Sequence, residues 1–202
     1  MAIRRTIGLS IAVSLLVLAS ICSVVISTKS HLAAVEKQAR DCGCFVMGDL
    51  QYVYVPRSIK LDDFRSLVAT LKSVRRPIGL RINGCHVDDE VVRTIGQMHW
   101  LISLDMADTN VTDRHIEALS GLEELESLRL LRVRVSDAAL PTLNKLTNLR
   151  DLNLEGTDVS ESMVRKVLVN LPYLDLEATV PSAIRPKDIL PQNNPAATDL
   201  SM

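Results

Sequence analysis

From Leu101 onward the chain repeats itself at a fixed interval. Leu101, Leu125 and Leu149 each open a block, and the blocks line up 24 residues apart without gaps. A period of this size restricts a chain to architectures in which each unit buries its apolar face only by stacking on its neighbours. The phase of the apolar residues says what each unit contains. Leu128 and Leu130, then Leu152 and Leu154, alternate with polar residues at strand spacing. A polar turn follows each pair. Apolar residues then recur at helical spacing as Ile116, Leu119 and Leu122, as Leu140, Leu143 and Leu146, and as Val164, Val167, Leu168 and Leu171. Thr112, Ser136 and Ser160 stand where each helix needs a hydroxyl to receive a free backbone N–H. Each unit therefore reads strand, turn, helix, which predicts an α/β solenoid with parallel strands on the concave face and helices on the convex face.

An earlier block fits the same frame. Leu80 and Ile82 correspond to Leu104 and Met106, Cys85 to Thr109, and Val87 to Val111, while Val92, Ile95 and Met98 fall at the helix positions. At the far end Leu171–Leu176 begins a last strand and Thr179-Val180 its turn, with no helix after it. At the near end Tyr52–Val55 reads as a strand and Asp62–Val74 as a helix, in a register displaced from the rest. Residues 51–76 are thus expected to form an atypical first unit or cap within a repeat domain spanning 51–180. Aromatics make up 3% of the chain against 47% hydrophobic residues, so the core must be built from Leu, Val and Ile. Thin stacked layers suit such side chains.

The pattern L-x-x-L-x-L stands at Leu101–Met106, Leu125–Leu130, Leu149–Leu154 and Leu171–Leu176. The turn that follows reads Thr109-Asn110-Val111-Thr112-Asp113 and Thr157-Asp158-Val159-Ser160-Glu161. In these residues the chain resembles the leucine-rich repeat family, and is similar to its cysteine-containing subclass and to short bacterial repeats ending in T-D-x-x-L. The resemblance covers about half the chain, Leu80 to Val180. It implies a short solenoid and is specific for fold, not for function. The repeat period itself points to a platform for other proteins, since solenoids usually serve as binding surfaces. Cys85 stands where that subclass has its cysteine, and reads as a buried thiol filling a turn rather than a reactive one.

The N-terminal end is of a different kind. After Arg4 and Arg5, the 23 residues Thr6–Thr28 carry no charge. At ~1.5 Å per helical residue that length crosses a ~30 Å hydrocarbon layer. The expectation is a tail and signal anchor over 1–28, giving one transmembrane helix through residues 6–28 and an exported repeat domain. A cleaved secretory signal and a secreted protein is the alternative. Residues 29–50 read as a mixed-charge juxtamembrane linker with a short helix through His31–Lys37. Within it, Cys42 and Cys44 are expected as a disulfide or as two free thiols. Residues 181–202, with Pro181, Pro186, Pro191 and Pro195, read as a disordered tail.

Strand alternation also selects the candidate site. Residues between and beside the inward leucines face the concave surface. The central column is Arg81, Asp105, Arg129, Asn153 and Asp175, flanked by Leu131, Asp151, Glu155, Tyr173 and Glu177. Arg129, Leu131 and Tyr173 are candidate anchors, since Arg and Tyr concentrate at energetic centres of interfaces. The acidic end formed by Asp151, Glu155, Asp175 and Glu177 suggests a protein or peptide partner with a basic segment. A ladder of opposite charges that only satisfies itself is the competing reading.

Other functions find little support. The net charge is −1, with no basic stripe interleaved with aromatics, which argues against nucleic acid. There is no phosphate-binding glycine loop, zinc-protease motif or nucleophile elbow. No metal or cofactor is expected. The triplet Asp88-Asp89-Glu90 falls at a helix start, where carboxylates favour the positive end of the helix dipole. Trp100, at a helix-to-strand junction, is expected to pack against the unit beneath. The chain thus reads as a binding module and not an enzyme: membrane-anchored, or alternatively a secreted structural component.

Overall fold

The computed structural model describes residues 28–160, 162, 163 and 171. The uncharged segment up to residue 27, the last strand and its residues Tyr173, Asp175 and Glu177, and the tail over 181–202 lie outside the described residues. Among the described residues no helix is long and apolar enough to cross a membrane.

Residues 28–41 are helical (α1). Strands β1 (Phe45–Met47) and β2 (Tyr52–Tyr54), helix α2 (Leu61–Leu71), β3 (Ile78–Arg81), α3 (Asp89–Ile95), β4 (Leu101–Asp105), α4 (Asp113–Glu117) and β5 (Ser127–Arg129) follow. A 3-10 turn, Asp137–Ala139, then leads into α5 (Leu140–Leu143), and β6 is Asp151–Asn153. The six strands form one sheet in chain order. β1 is antiparallel to β2, and every later pair is parallel. Leu80, Leu104, Leu128 and Leu152 pair in one row, and Arg81, Asp105, Arg129 and Asn153 in the next. The repeat period of the sequence is therefore the register of the sheet. All four leucines are buried, at 1% exposure or less.

β2 joins this sheet in phase, with Val53 opposite Leu80 and Tyr54 opposite Arg81. Its displacement in sequence comes from a first unit three residues longer than the others, which accommodates the 11-residue α2. Residues 29–50, read from sequence as a linker, carry most of α1 and all of β1. Val35 and Ala39, four residues apart on α1, pack into the core with Val46 and Leu50. Gln38 ties α1 to α2 by accepting from Thr70 Oγ1 at 3.0 Å and donating to Ser66 Oγ at 3.1 Å. A helix and an antiparallel strand thus cover the end of the solenoid, which would otherwise expose a bare sheet edge and core.

Pairing continues beyond the strands into the turns. The N–H groups of Gly84, Asp108 and Arg132 donate to the carbonyls of Ala107, Leu131 and Glu155 at 2.8–2.9 Å. These three residues and Gly156 share a left-handed backbone, with φ of +70°, +58°, +51° and +70°. One position of every turn thus demands a conformation that glycine adopts freely and other residues adopt at a cost.

The helix starts are also linked from unit to unit. Asp113 receives both the N–H and the hydroxyl of Ser136, each at 2.7 Å. Asp137 does the same for Ser160, at 2.8 and 2.9 Å. The first helical residue of one unit therefore completes the cap of the next. Asp88 caps α3, its carboxylate accepting the Val91 N–H at 2.9 Å, as expected for the acidic triplet. Burial works to raise the Asp88 pKa, but the Val91 N–H and the Arg65 guanidinium outweigh it and hold the carboxyl below its usual range. Trp100 packs partly buried against the core. Cys42, Cys44 and Cys85 are free thiols. Cys85 fills the first full turn at 1% exposure, its thiol directed at the Pro56 carbonyl oxygen 3.5 Å away.

Candidate protein-binding face

Alternation along β2–β6 turns Val53, Leu80, Leu104, Leu128 and Leu152 inward. The residues beside them line the other face of the sheet. Tyr52, Tyr54, Arg81, Ser103, Ser127 and Arg129 surround a groove of about 210 Å³ floored by Asp105.

Asp105 organises the middle of this face. It is only 5% exposed, so it is a hub rather than a contact surface. One carboxylate oxygen receives the Ala107 N–H at 3.2 Å. The other lies 3.1 Å from Asn83 Nδ2, 3.2 Å from Arg81 Nε and 3.8 Å from Arg129 Nη1. Two guanidiniums thus share one buried carboxylate, and Asp151 brings a second carboxylate to the same groove. Arg81 and Arg129 keep 46% and 42% of their side chains in solvent. Arg81 also lies over the Tyr54 ring, 5.0 Å from its centroid, a cation–π contact that holds the guanidinium in place.

Asp151, towards the distal end, accepts from Ser127 Oγ at 2.9 Å. Asn153 Oδ1 accepts the Glu155 N–H at 3.0 Å, the same turn-closing bond that Asp105 makes to Ala107. Leu131 is half-buried in the turn after β5, and Glu155 is exposed in the turn after β6. The structure therefore brings Arg81, Asp105 and Arg129 together and sets Asp151 and Asn153 beside them on the sheet. Leu131 and Glu155 sit on the flanking turns, where their carbonyls receive the N–H groups of Asp108 and Arg132. Along those turns Arg132 makes a two-pronged pair with Asp108, 2.7 Å on each side. The Arg132 guanidinium holds the Asp108 carboxyl below its usual pKa.

β1 and β2 give this face an aromatic end. β1 pairs Phe45 with Tyr54 and Met47 with Tyr52, while Val46 turns inward against Val53. Phe45, Met47 and Tyr52 are 63%, 46% and 39% exposed. The Phe45 and Tyr54 rings lie 5.7 Å apart, tilted by 60°. Tyr52 rests on Gly79, where a Cβ would stand 2.2 Å from its ring, so the tyrosine can lie flat only because that position has no side chain. The alternation Tyr52-Val53-Tyr54-Val55 held the signal, but its 27-residue step to Leu80 hid it from a 24-residue frame. Among the described residues no group of three or more His, Cys, Asp or Glu is placed to hold a metal ion.

Register, turn geometry and residue pattern together define a solenoid of the leucine-rich repeat type. No family model matches the chain, and no curated protein matches it. Among solved structures it is similar to an internalin from Listeria monocytogenes, at 18% identity over 60% of this chain and 38% of that one, with a TM-score of 0.49. It is also similar to the leiomodin-1 actin-binding site 2, at 18% identity over 70% of this chain and 85% of that one, with a TM-score of 0.47. The chain thus spans well under half the length of the internalin.

Proposed function

We propose that the chain is a membrane-anchored, non-catalytic module whose concave face docks a segment of another protein. The observation that carries this reading is the sharing of buried Asp105 between Arg81 and Arg129, beside the exposed Phe45, Met47 and Tyr52. A self-satisfied ladder would leave neither exposed guanidiniums nor an uncovered aromatic patch. Here Arg81 and Arg129 each keep more than two-fifths of the side chain in solvent, and large apolar groups stand in water beside them. The face takes an extended segment with an apolar side chain at the Phe45 end and a carboxylate between the arginines. Asp151 and Glu155 favour a basic residue further along, which confines the preference for basic segments to the distal half. The uncharged run over 6–28 supports anchorage, and the basic tail before it supports export of the repeats.

The test is a peptide array probed with the full chain and with two variants, Arg81→Glu/Arg129→Glu and Phe45→Ser/Tyr52→Ser. Peptides pairing an aromatic with an acidic residue should bind the parent and lose binding to both variants. An unchanged binding profile would rule out the concave face.

A further inference from the structure

The edge of the solenoid where α1 begins carries a second surface with its own chemistry. α1 starts, among the described residues, at Thr28, the last residue of the uncharged run. Thr28, His31 and Leu32 lie against Ser73, Arg75 and Arg76, in the loop that leads from α2 to β3. His31 Nε2 meets Ser73 Oγ at 2.8 Å, which, with the Gln38 bonds to α2, fixes this end of α1 on the loop. The surface continues through Lys72 and Gln97 to His99 and Trp100, at the matching edge of the next unit.

Lys72 and Arg75 are exposed, and Arg76 is partly so. Among the described residues no carboxylate forms an ion pair with any of the three, and Lys72 donates to Gln97 Oε1 at 2.5 Å. One guanidinium nitrogen of Arg76 and Nε1 of Trp100 are buried donors without an acceptor. Lys29 is set apart from this group, on a hollow it shares with Glu36 and Asp49. Further along the same edge the charge reverses, with Glu123 and Glu124 exposed. Beside Thr28 three cations fall within five residues, whereas the later units carry Glu123 and Glu124, then Lys145, at the same edge.

The geometry points to Lys72, Arg75 and Arg76, with Trp100 beside them, as a binding surface for anionic phospholipid headgroups, which lays the first units of the solenoid against the bilayer. This rests on the reading of 6–28 as a membrane span. Phosphodiester oxygens would accept from the exposed ends of Lys72 and Arg75, and an indole suits the headgroup layer. Each cation near an anionic leaflet favours the docked state by about fivefold, so three suffice to orient a domain already tethered at Thr28. The acidic stretch at Glu123 and Glu124 would hold the distal units away from the same leaflet and leave the concave face open.

Trp100 is the only tryptophan in the chain and reports on this surface directly. The full chain is floated with phosphatidylcholine vesicles, with and without phosphatidylglycerol, each carrying a trace of headgroup-spin-labelled lipid that quenches nearby indoles. The expected result is flotation with both vesicles and stronger Trp100 quenching where phosphatidylglycerol is present. The added quenching should disappear in Lys72→Glu/Arg75→Glu and in about 1 M salt, where the screening length falls to about 3 Å. Flotation with both vesicles and equal quenching would leave the span standing and overturn the headgroup surface. Flotation with anionic vesicles alone would refute the span but support the surface. No flotation with either would overturn both. The circular dichroism of the double variant, matched to the parent, establishes that its loss of quenching is not a loss of fold.

Discussion

Replacing Asp105 separates two effects that meet at one carboxylate. In Asp105→Asn the amide oxygen can still receive the Ala107 N–H, as Asn153 already does for Glu155 in a later unit. What is lost is the charge shared by Arg81 and Arg129, because Asn83, whose Oδ1 has no partner, can turn its amide and accept from the new Nδ2. Both guanidiniums are more than two-fifths in solvent, so each pair is screened and contributes about 0.5–1 kcal/mol, giving about 1–2 kcal/mol in all. Asp105→Ala loses the charge and also leaves the N–H of buried Ala107 without an acceptor, a further cost of about 1–3 kcal/mol. The expected ladder is parent, then Asn about 1–2 kcal/mol lower, then Ala about 2–5 kcal/mol lower. Urea unfolding followed by circular dichroism measures both steps, and added salt should narrow only the first. If the two variants unfold at the same urea concentration, the turn bond contributes nothing and the account of Asp105 as a structural hub fails.

Three further outcomes are expected. Gly96→Ala would place a methyl carbon 1.9 Å from the Ala118 carbonyl oxygen of the next unit, so α3 and α4 must separate. The loss should reach about 3 kcal/mol, and a thermal midpoint within a degree or two of the parent would contradict this packing. The lowered pKa of Asp88 means that its bonds to Val91 and Arg65 stabilise the fold above the ordinary carboxylate range. That stability should fade as the pH falls through about 4 and below, and Asp88→Asn should flatten the acid limb of a stability–pH curve. Burial pushes the Cys44 and Cys85 thiols up to about 12 and about 11, so both stay protonated at neutral pH. In alkylation mapped by mass spectrometry, half-exposed Cys42 should react in the folded protein, and Cys44 and Cys85 only after unfolding.

Much of the fold can be read from the chain because one period sets many positions at once. Leu80, Leu104, Leu128 and Leu152 share a phase in sequence and a row in the sheet, so the inward set and the central column follow together. The same reasoning fails where the period breaks. Phe45, Met47, Tyr52 and Tyr54 belong to a unit with a longer step and to an antiparallel strand that no repeat could announce. Two buried positions on α1, Val35 and Ala39, give too faint a stripe among Glu36, Lys37 and Arg40 to mark a packed helix. The role of Asp105 was hidden for another reason. A charged residue in a concave row looks like a contact, and only the approach of Asn83, Arg81 and Arg129 shows that it is enclosed.

The capping of Ser136 by Asp113, and of Ser160 by Asp137, runs in one direction only. At these two helix starts the carboxylate comes from the preceding unit, whereas Asp88 caps α3 itself and Thr112 pairs with His115 of its own helix. A growing polypeptide emerges in that same order, with the α1–β1 cap first. The units that begin at Ser136 and Ser160 therefore meet a neighbour already offering the acceptors for their helix starts, while the turn N–H groups of Gly84, Asp108 and Arg132 wait for carbonyls of the unit that follows. Such an array can assemble by accretion during synthesis, and losing units from its far end would leave the helix starts of the remaining units satisfied.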